Sequence, residues 1–60
     1  MTFPEDVHIL VSMVNMYLRD RYSSPQDLCE DLDADLDEME AKLASAGYHY
    51  DENTNSYKLA

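Results

Sequence analysis

The chain has 60 residues and sets four Lys and Arg against 13 Asp and Glu, for a formal charge of −9. That length allows one domain, over residues 1–60, with a core small enough that a disulfide, a metal or a partner is normally needed to hold it. Cys29 is alone and two scattered His cannot complete a zinc site, so neither a disulfide nor a metal is expected, and self-association or another protein is the remaining support.

A single free cysteine suits a reducing compartment. The apolar run over residues 7–18 is broken by His8, Ser12 and Asn15 and preceded by Glu5 and Asp6. It has neither the basic start of a signal peptide nor the ~20 apolar residues of a membrane span. The expectation is a cytoplasmic protein with no membrane contact.

The first helix is expected over residues 4–22. Pro4 suits the first helical position, and Glu5 and Asp6 complement the positive end of the dipole. At about 100° per residue, Val7, Leu10, Val11, Val14, Tyr17, Leu18 and Tyr22 share one broad face, which is the core stripe. His8, Ser12, Asn15 and Arg19 lie on a polar flank. Ile9, Met13 and Met16 fall nearly opposite the core face, where an amphipathic helix is normally polar. Three apolar side chains on one line, two of them adaptable methionines, point to contact with a second chain.

Ser24, Pro25 and Asp27 open the second helix as cap, first helical residue and partner in a capping box. Leu28, Cys29 and Leu32 face inward, and Asp33-Ala34 forms a turn. Asp35 then caps a third helix, with Glu38 in the matching box position. Leu36, Met39 and Leu43 supply its apolar face, and Gly47 ends it in the left-handed conformation. Two short helices joined by such a turn have the form of a helix-turn-helix.

The tail alternates. Tyr48 and Tyr50 point one way and His49 and Asp51 the other. A four-residue loop over residues 52–55 would pair Tyr50 with Tyr57 and Tyr48 with Leu59, leaving His49 and Lys58 on the solvent face. The fold class is therefore mostly α with a C-terminal β-hairpin, a minimal winged helix-turn-helix of order α-α-α-β-β.

Several chemistries are excluded by residue type. Asp31, Asp33 and Asp35 alternate like early EF-hand ligands, but the sixth and twelfth places hold Leu36 and Lys42 instead of Gly and Glu. Cys29 adjoins Glu30 and Asp31, whereas a reactive thiolate needs an electropositive setting. His8 and His49 lack a carboxylate at catalytic spacing. One glycine cannot build a phosphate-binding loop. No cofactor is expected, and the chain does not read as an enzyme.

Charge decides against the usual use of a helix-turn-helix. Phosphate attraction supplies essentially all non-specific DNA affinity, yet the recognition helix carries Asp37, Glu38 and Glu40. From Asp27 to Glu40 the acids are Asp27, Glu30, Asp31, Asp33, Asp35, Asp37, Glu38 and Glu40, with no base between them. Tyr48, Tyr50 and Tyr57 could stack bases only beside a positive groove, and Lys58 stands against Asp51 and Glu52. These tyrosines are expected to close the core, with hydroxyls reaching water. No nucleic-acid partner is expected.

The segments SMVNMYLRD, DLCEDLD and KLASAGYHYDE together resemble the small bacterial family described as domain of unknown function 4250, over nearly the whole chain. Asn15 and Asp20 match positions that the resemblance implies are held nearly invariant, while the tail NSY departs from the NQF-like ending of that family. The resemblance implies domain limits and no activity.

The leading expectation is a small acidic, non-enzymatic protein-interaction module that forms a homodimer through helix one, with Ile9, Met13 and Met16 as the seam. His8, Asn15, Arg19 and Asp20 are then either a recognition patch or, as the residues favour, a structural group fixing the first interhelix turn. Arg21 is expected to reach acids on helix two or three, and Asp20 to bond the Ser23-Ser24 linker. An alternative makes Asp31, Asp33, Asp35, Asp37, Glu38 and Glu40 a phosphate mimic that inhibits a basic DNA- or RNA-binding protein. A third reading is an ordinary DNA-binding winged helix.

Overall fold

Hydrophobic periodicity and capping residues divide the chain into five elements. The computed structural model describes residues 2–60 and contains α1 (Val7–Asp20), α2 (Pro25–Asp31) and α3 (Leu36–Ser45), followed by β1 (Tyr48–Asp51) and β2 (Ser56–Leu59). The order is the α-α-α-β-β expected.

Helix α1 begins three residues later than the periodicity suggested. Asp6 is its N-cap, and the carboxylate accepts the amides of His8 (2.8 Å) and Ile9 (3.4 Å). A short acidic side chain in extended backbone satisfies amides that otherwise have no partner, so the helix starts where its best cap stands and not at Pro4. At the other end α1 stops at Asp20, before Tyr22.

The second and third helices carry the expected caps. Ser24 Oγ accepts the Asp27 amide at 3.1 Å with Pro25 at the first helical position, and Asp35 accepts the Glu38 amide at 3.2 Å. The capping box at α2 is one-sided, because the Asp27 carboxylate takes the Ser23 hydroxyl (2.6 Å) instead. Between α2 and α3 the chain reverses at Asp33, whose φ is +53°. The amide of Ala34 donates back to the Cys29 carbonyl at 2.8 Å and that of Asp33 to Glu30 at 3.4 Å. This is the Schellman arrangement, with Asp taking the left-handed position that Gly usually fills. Gly47 ends α3 at φ +87°.

The hairpin has the register read from its alternation, with Tyr48 opposite Leu59, His49 opposite Lys58, Tyr50 opposite Tyr57 and Asp51 opposite Ser56. Asn55, the last loop residue, is left-handed at φ +50°. Lys58 reaches diagonally to Asp51 at 3.5 Å on the solvent face.

The core is assembled from all three helices and the hairpin: Leu10, Val11, Val14 and Leu18 from α1, Leu28 and Cys29 from α2, Met39 and Leu43 from α3, and Tyr57 from β2. Phe3 is buried beside them, ahead of any helix. Pro25 is buried as well. Val7, Tyr17, Tyr22, Leu32 and Leu36 pack around the edge. The hairpin lies against α1 through β2 and against α3 through β1. It forms a wall of the core and does not project as a free wing.

Candidate functional site

The polar flank of α1 faces the hairpin, and two asparagines join them. Asn15 Nδ2 donates to the Tyr57 carbonyl at 3.0 Å, and the Tyr57 amide donates to Asn15 Oδ1 at 2.7 Å. One side-chain amide thus answers both backbone groups of a strand residue, as a neighbouring strand would. Asn55 Nδ2 donates to the carbonyls of Leu18 and Tyr22, both at 3.0 Å. Leu18 is in the last turn of α1 and Tyr22 just beyond its C-cap, where carbonyls lack helical partners. The Tyr50 hydroxyl donates to Asn55 Oδ1 at 2.6 Å and fixes that amide's orientation.

Beside this junction runs an open groove of about 900 Å3, lined by Ser12, Asn15, Met16 and Arg19 of α1 and by Thr54, Asn55 and Ser56 of the hairpin, with Leu18 at its floor. Met16 forms its outer wall and is 46% exposed. Ile9, two turns earlier, is 58% exposed. Met13, expected on the same stripe, is half-buried and packs against the core. About 100° per residue places it 60° beyond Met16 toward Tyr17, close enough for an unbranched chain to fold inward. The exposed stripe therefore has two members on α1.

Of the suspected polar patch, Asn15 is bound to the backbone of Tyr57. His8 lies at the other end of the flank, its Nδ1 3.1 Å from the Tyr48 hydroxyl, with the rings edge to face at 6.2 Å. Arg19 binds Asp20 through two contacts of 2.9 Å, both side chains facing solvent. The hydrogen bond from Arg19, aided by its charge, holds the Asp20 carboxyl below the usual carboxylate range. Asp20 does not bond the Ser23-Ser24 linker, because the adjacent guanidinium is the stronger donor. Ser23 and Ser24 are engaged by Asp27 instead. Arg21 is exposed at the C-cap, and no ion pair to α2 or α3 is found for it among the described residues.

The acids divide by role. Asp35 is a cap, and Asp33 sits in the left-handed turn. Asp31 accepts the Tyr22 hydroxyl at 2.6 Å, which raises the Tyr22 pKa. Glu40 accepts the Tyr57 hydroxyl at 3.2 Å. Burial first, and then Glu40, push Tyr57 far above an ordinary phenol. Asp37 and Glu38 remain exposed on the first turn of α3, where they complement its dipole. The tyrosine hydroxyls expected to reach water thus each meet a side chain: Tyr48 meets His8, Tyr50 meets Asn55 and Tyr57 meets Glu40.

Cys29 is buried, its Sγ 3.8 Å from Met39 Sδ. Burial, followed by Glu40 and Asp35, pushes its thiol pKa up, away from the reactive thiolate. Among the described residues no group of three His, Cys, Asp or Glu side chains is placed to hold a metal, and no helix is long and apolar enough to cross a membrane.

Sequence reasoning found the stripe and the polar flank but missed Asn55 and Phe3. Asn55 carried one usable signal, an Asn at the end of a tight loop, which favours the left-handed conformation. Phe3 carried only its type: the chain's single phenylalanine.

No curated protein and no solved structure matches the chain. A family model, described as Domain of unknown function (DUF4250), matches residues 4–57. That span runs from Pro4, ahead of the α1 cap, through Tyr57, the hairpin residue tied to α1, and the chain belongs to this family.

Proposed function

We propose that this protein is a small non-catalytic interaction module whose contact surface is the outer face of α1, and that it self-associates there. The observation that carries the reading is the exposure of Ile9 and Met16, two turns apart, on a segment free of acids. Residues 7–19 contain no Asp or Glu in a chain of charge −9. On this stripe two copies can meet through apolar surface with no acids directly opposed. Ile9→Glu combined with Met16→Glu places two acids on the stripe and leaves the buried core untouched. Sedimentation equilibrium at high concentration should show the parent as a dimer and this variant as a monomer of unchanged helical content. A parent that stays monomeric would end the reading. Met13→Glu is unsuitable for the purpose because it would also disturb the core.

A second reading is supported by the exposed acids of α3. Asp37, Glu38 and Glu40 face solvent, together with Asp31 at the end of α2, in a spacing that offers carboxylates to a basic nucleic-acid-binding protein. Such a complex would weaken steeply between low and high salt. Equal binding of a basic partner at both salt concentrations would reject it, and binding of bare duplex DNA would favour ordinary DNA recognition in its place.

A further inference from the structure

We infer that the open edge of β1 takes up an extended, basic segment of another protein as a third strand. The two edges of the hairpin differ. On β2 both backbone groups of Tyr57 turn away from β1 and are engaged by Asn15 of α1, so α1 closes that edge. Tyr50 stands opposite Tyr57 in the ladder. Opposed residues of an antiparallel pair turn their backbone groups either toward each other or both away. The amide and carbonyl of Tyr50 therefore point outward on the far side of β1, and those of Tyr48, two residues earlier, do the same. The bond from the Ala60 amide to the Gly47 carbonyl, at 3.1 Å, fits this alternation, with Gly47 turned toward β2. Among the described residues neither tyrosine's backbone has a partner on the outer side. Buried backbone groups are almost always paired, so these four groups face water, spaced for one more antiparallel strand.

Charge selects the occupant. Asp51 ends β1, and Glu52 follows it, exposed and in no ion pair among the described residues. A second copy of this chain brings a further charge of −9. The one Lys or Arg on its strands, Lys58, is already 3.5 Å from Asp51. A basic segment from another protein meets the same acids with attraction. Side chains opposite Tyr48 and Tyr50 fall on the core face beside the rings, which suits Val or Ile. Those opposite His49 and Asp51 fall on the solvent face. In the antiparallel sense the segment therefore reads two bases at Glu52 and Asp51, an apolar residue, any residue, and a second apolar residue. This edge is separate from the exposed face of α1, and its use does not require self-association.

Hydrogen exchange followed by NMR on the full chain tests the assignment. The probe is the acetylated, amidated peptide Lys-Arg-Val-Thr-Val-Thr. One control carries N-methyl groups on both valines, which removes the donors facing Tyr50 and Tyr48 without touching the protein. A second control has Glu-Glu in place of Lys-Arg. With the probe in excess, exchange of the Tyr48 and Tyr50 amides is expected to slow about tenfold, while the Tyr57 amide, already bonded to Asn15, changes less. Neither control should protect, and added salt should weaken the effect. No protection at millimolar probe, or equal protection by either control, would overturn the proposal. Protection that grows with protein concentration in the absence of peptide would overturn it in favour of a second copy on this edge.

Discussion

At the scale of single residues, Asn15 and Asn55 do with side-chain amides what a larger domain does with a further strand or helix. Between them they engage the amide and carbonyl of Tyr57 and two carbonyls, one in the last turn of α1 and one just beyond it. Each backbone group left without a partner in partly buried surroundings costs on the order of 1–3 kcal/mol. Asn15→Ala is therefore expected to lower unfolding free energy by about 1–3 kcal/mol, read from the urea midpoint. The Tyr57 amide should lose its protection against hydrogen exchange at the same time. Asn15→Asp keeps an acceptor for the Tyr57 amide but sets a carboxylate oxygen against the Tyr57 carbonyl. It should cost at least as much as Asn15→Ala, and a near-neutral result would mean that the two-way bond contributes little. The polar flank of His8, Ser12, Asn15 and Arg19 was legible as a group. That Asn15 turns to a strand 42 residues away depended on where the hairpin docks, which no local pattern contains.

Among the elements, the helices are set by their first residues more than by their apolar stripes. Asp6, Ser24 and Asp35 each accept an amide of the following turn, and the start of α1 moved to the residue after its cap. For α3 the cap is also one of eight acids in the run from Asp27 to Glu40, so its hydrogen bond and its charge oppose each other. Asp35→Ala should cost about 1 kcal/mol through the lost cap. Asp35→Asn keeps the capping oxygen and removes a negative charge from a crowded segment, and is expected to be neutral or mildly stabilising. Thermal unfolding by circular dichroism compares the two directly. If both variants lose stability equally, charge and not the hydrogen bond is the quantity that matters at this position. The turn between α2 and α3 was readable as Asp33-Ala34, but its left-handed Asp was not, because most helix ends of this kind use Gly.

Across the whole molecule, Tyr57 is where the parts meet. Its backbone is held by α1, its hydroxyl donates to Glu40 of α3, and its ring lies 5.4 Å from that of Tyr50. A phenol whose folded pKa stands above the unfolded value contributes its full stability below about pH 10. That contribution is lost as pH rises from there toward the folded value. The protein should thus unfold in alkali with the uptake of base by Tyr57, and Tyr57→Phe should flatten the dependence above about pH 10. Phe also gives up the bond to Glu40, so its stability at neutral pH is expected to fall modestly. An unchanged alkaline transition, followed by tyrosinate absorbance, would show that another group controls it.

By itself, the sequence determined the element order, the hairpin register, the three caps at Ser24, Asp35 and Gly47, most of the core, and the sign of the surface. These follow from periodicity, from short polar side chains beside helix starts, and from charges that no fold can remove. Only the tertiary structure decided that Met13 turns inward while Ile9 and Met16 stay out. The same holds for the hairpin, which closes the core against α1, and for Phe3, which joins that core from outside any element. Those outcomes depend on which neighbour occupies the adjoining space, and in a domain this small one side chain's width changes the answer.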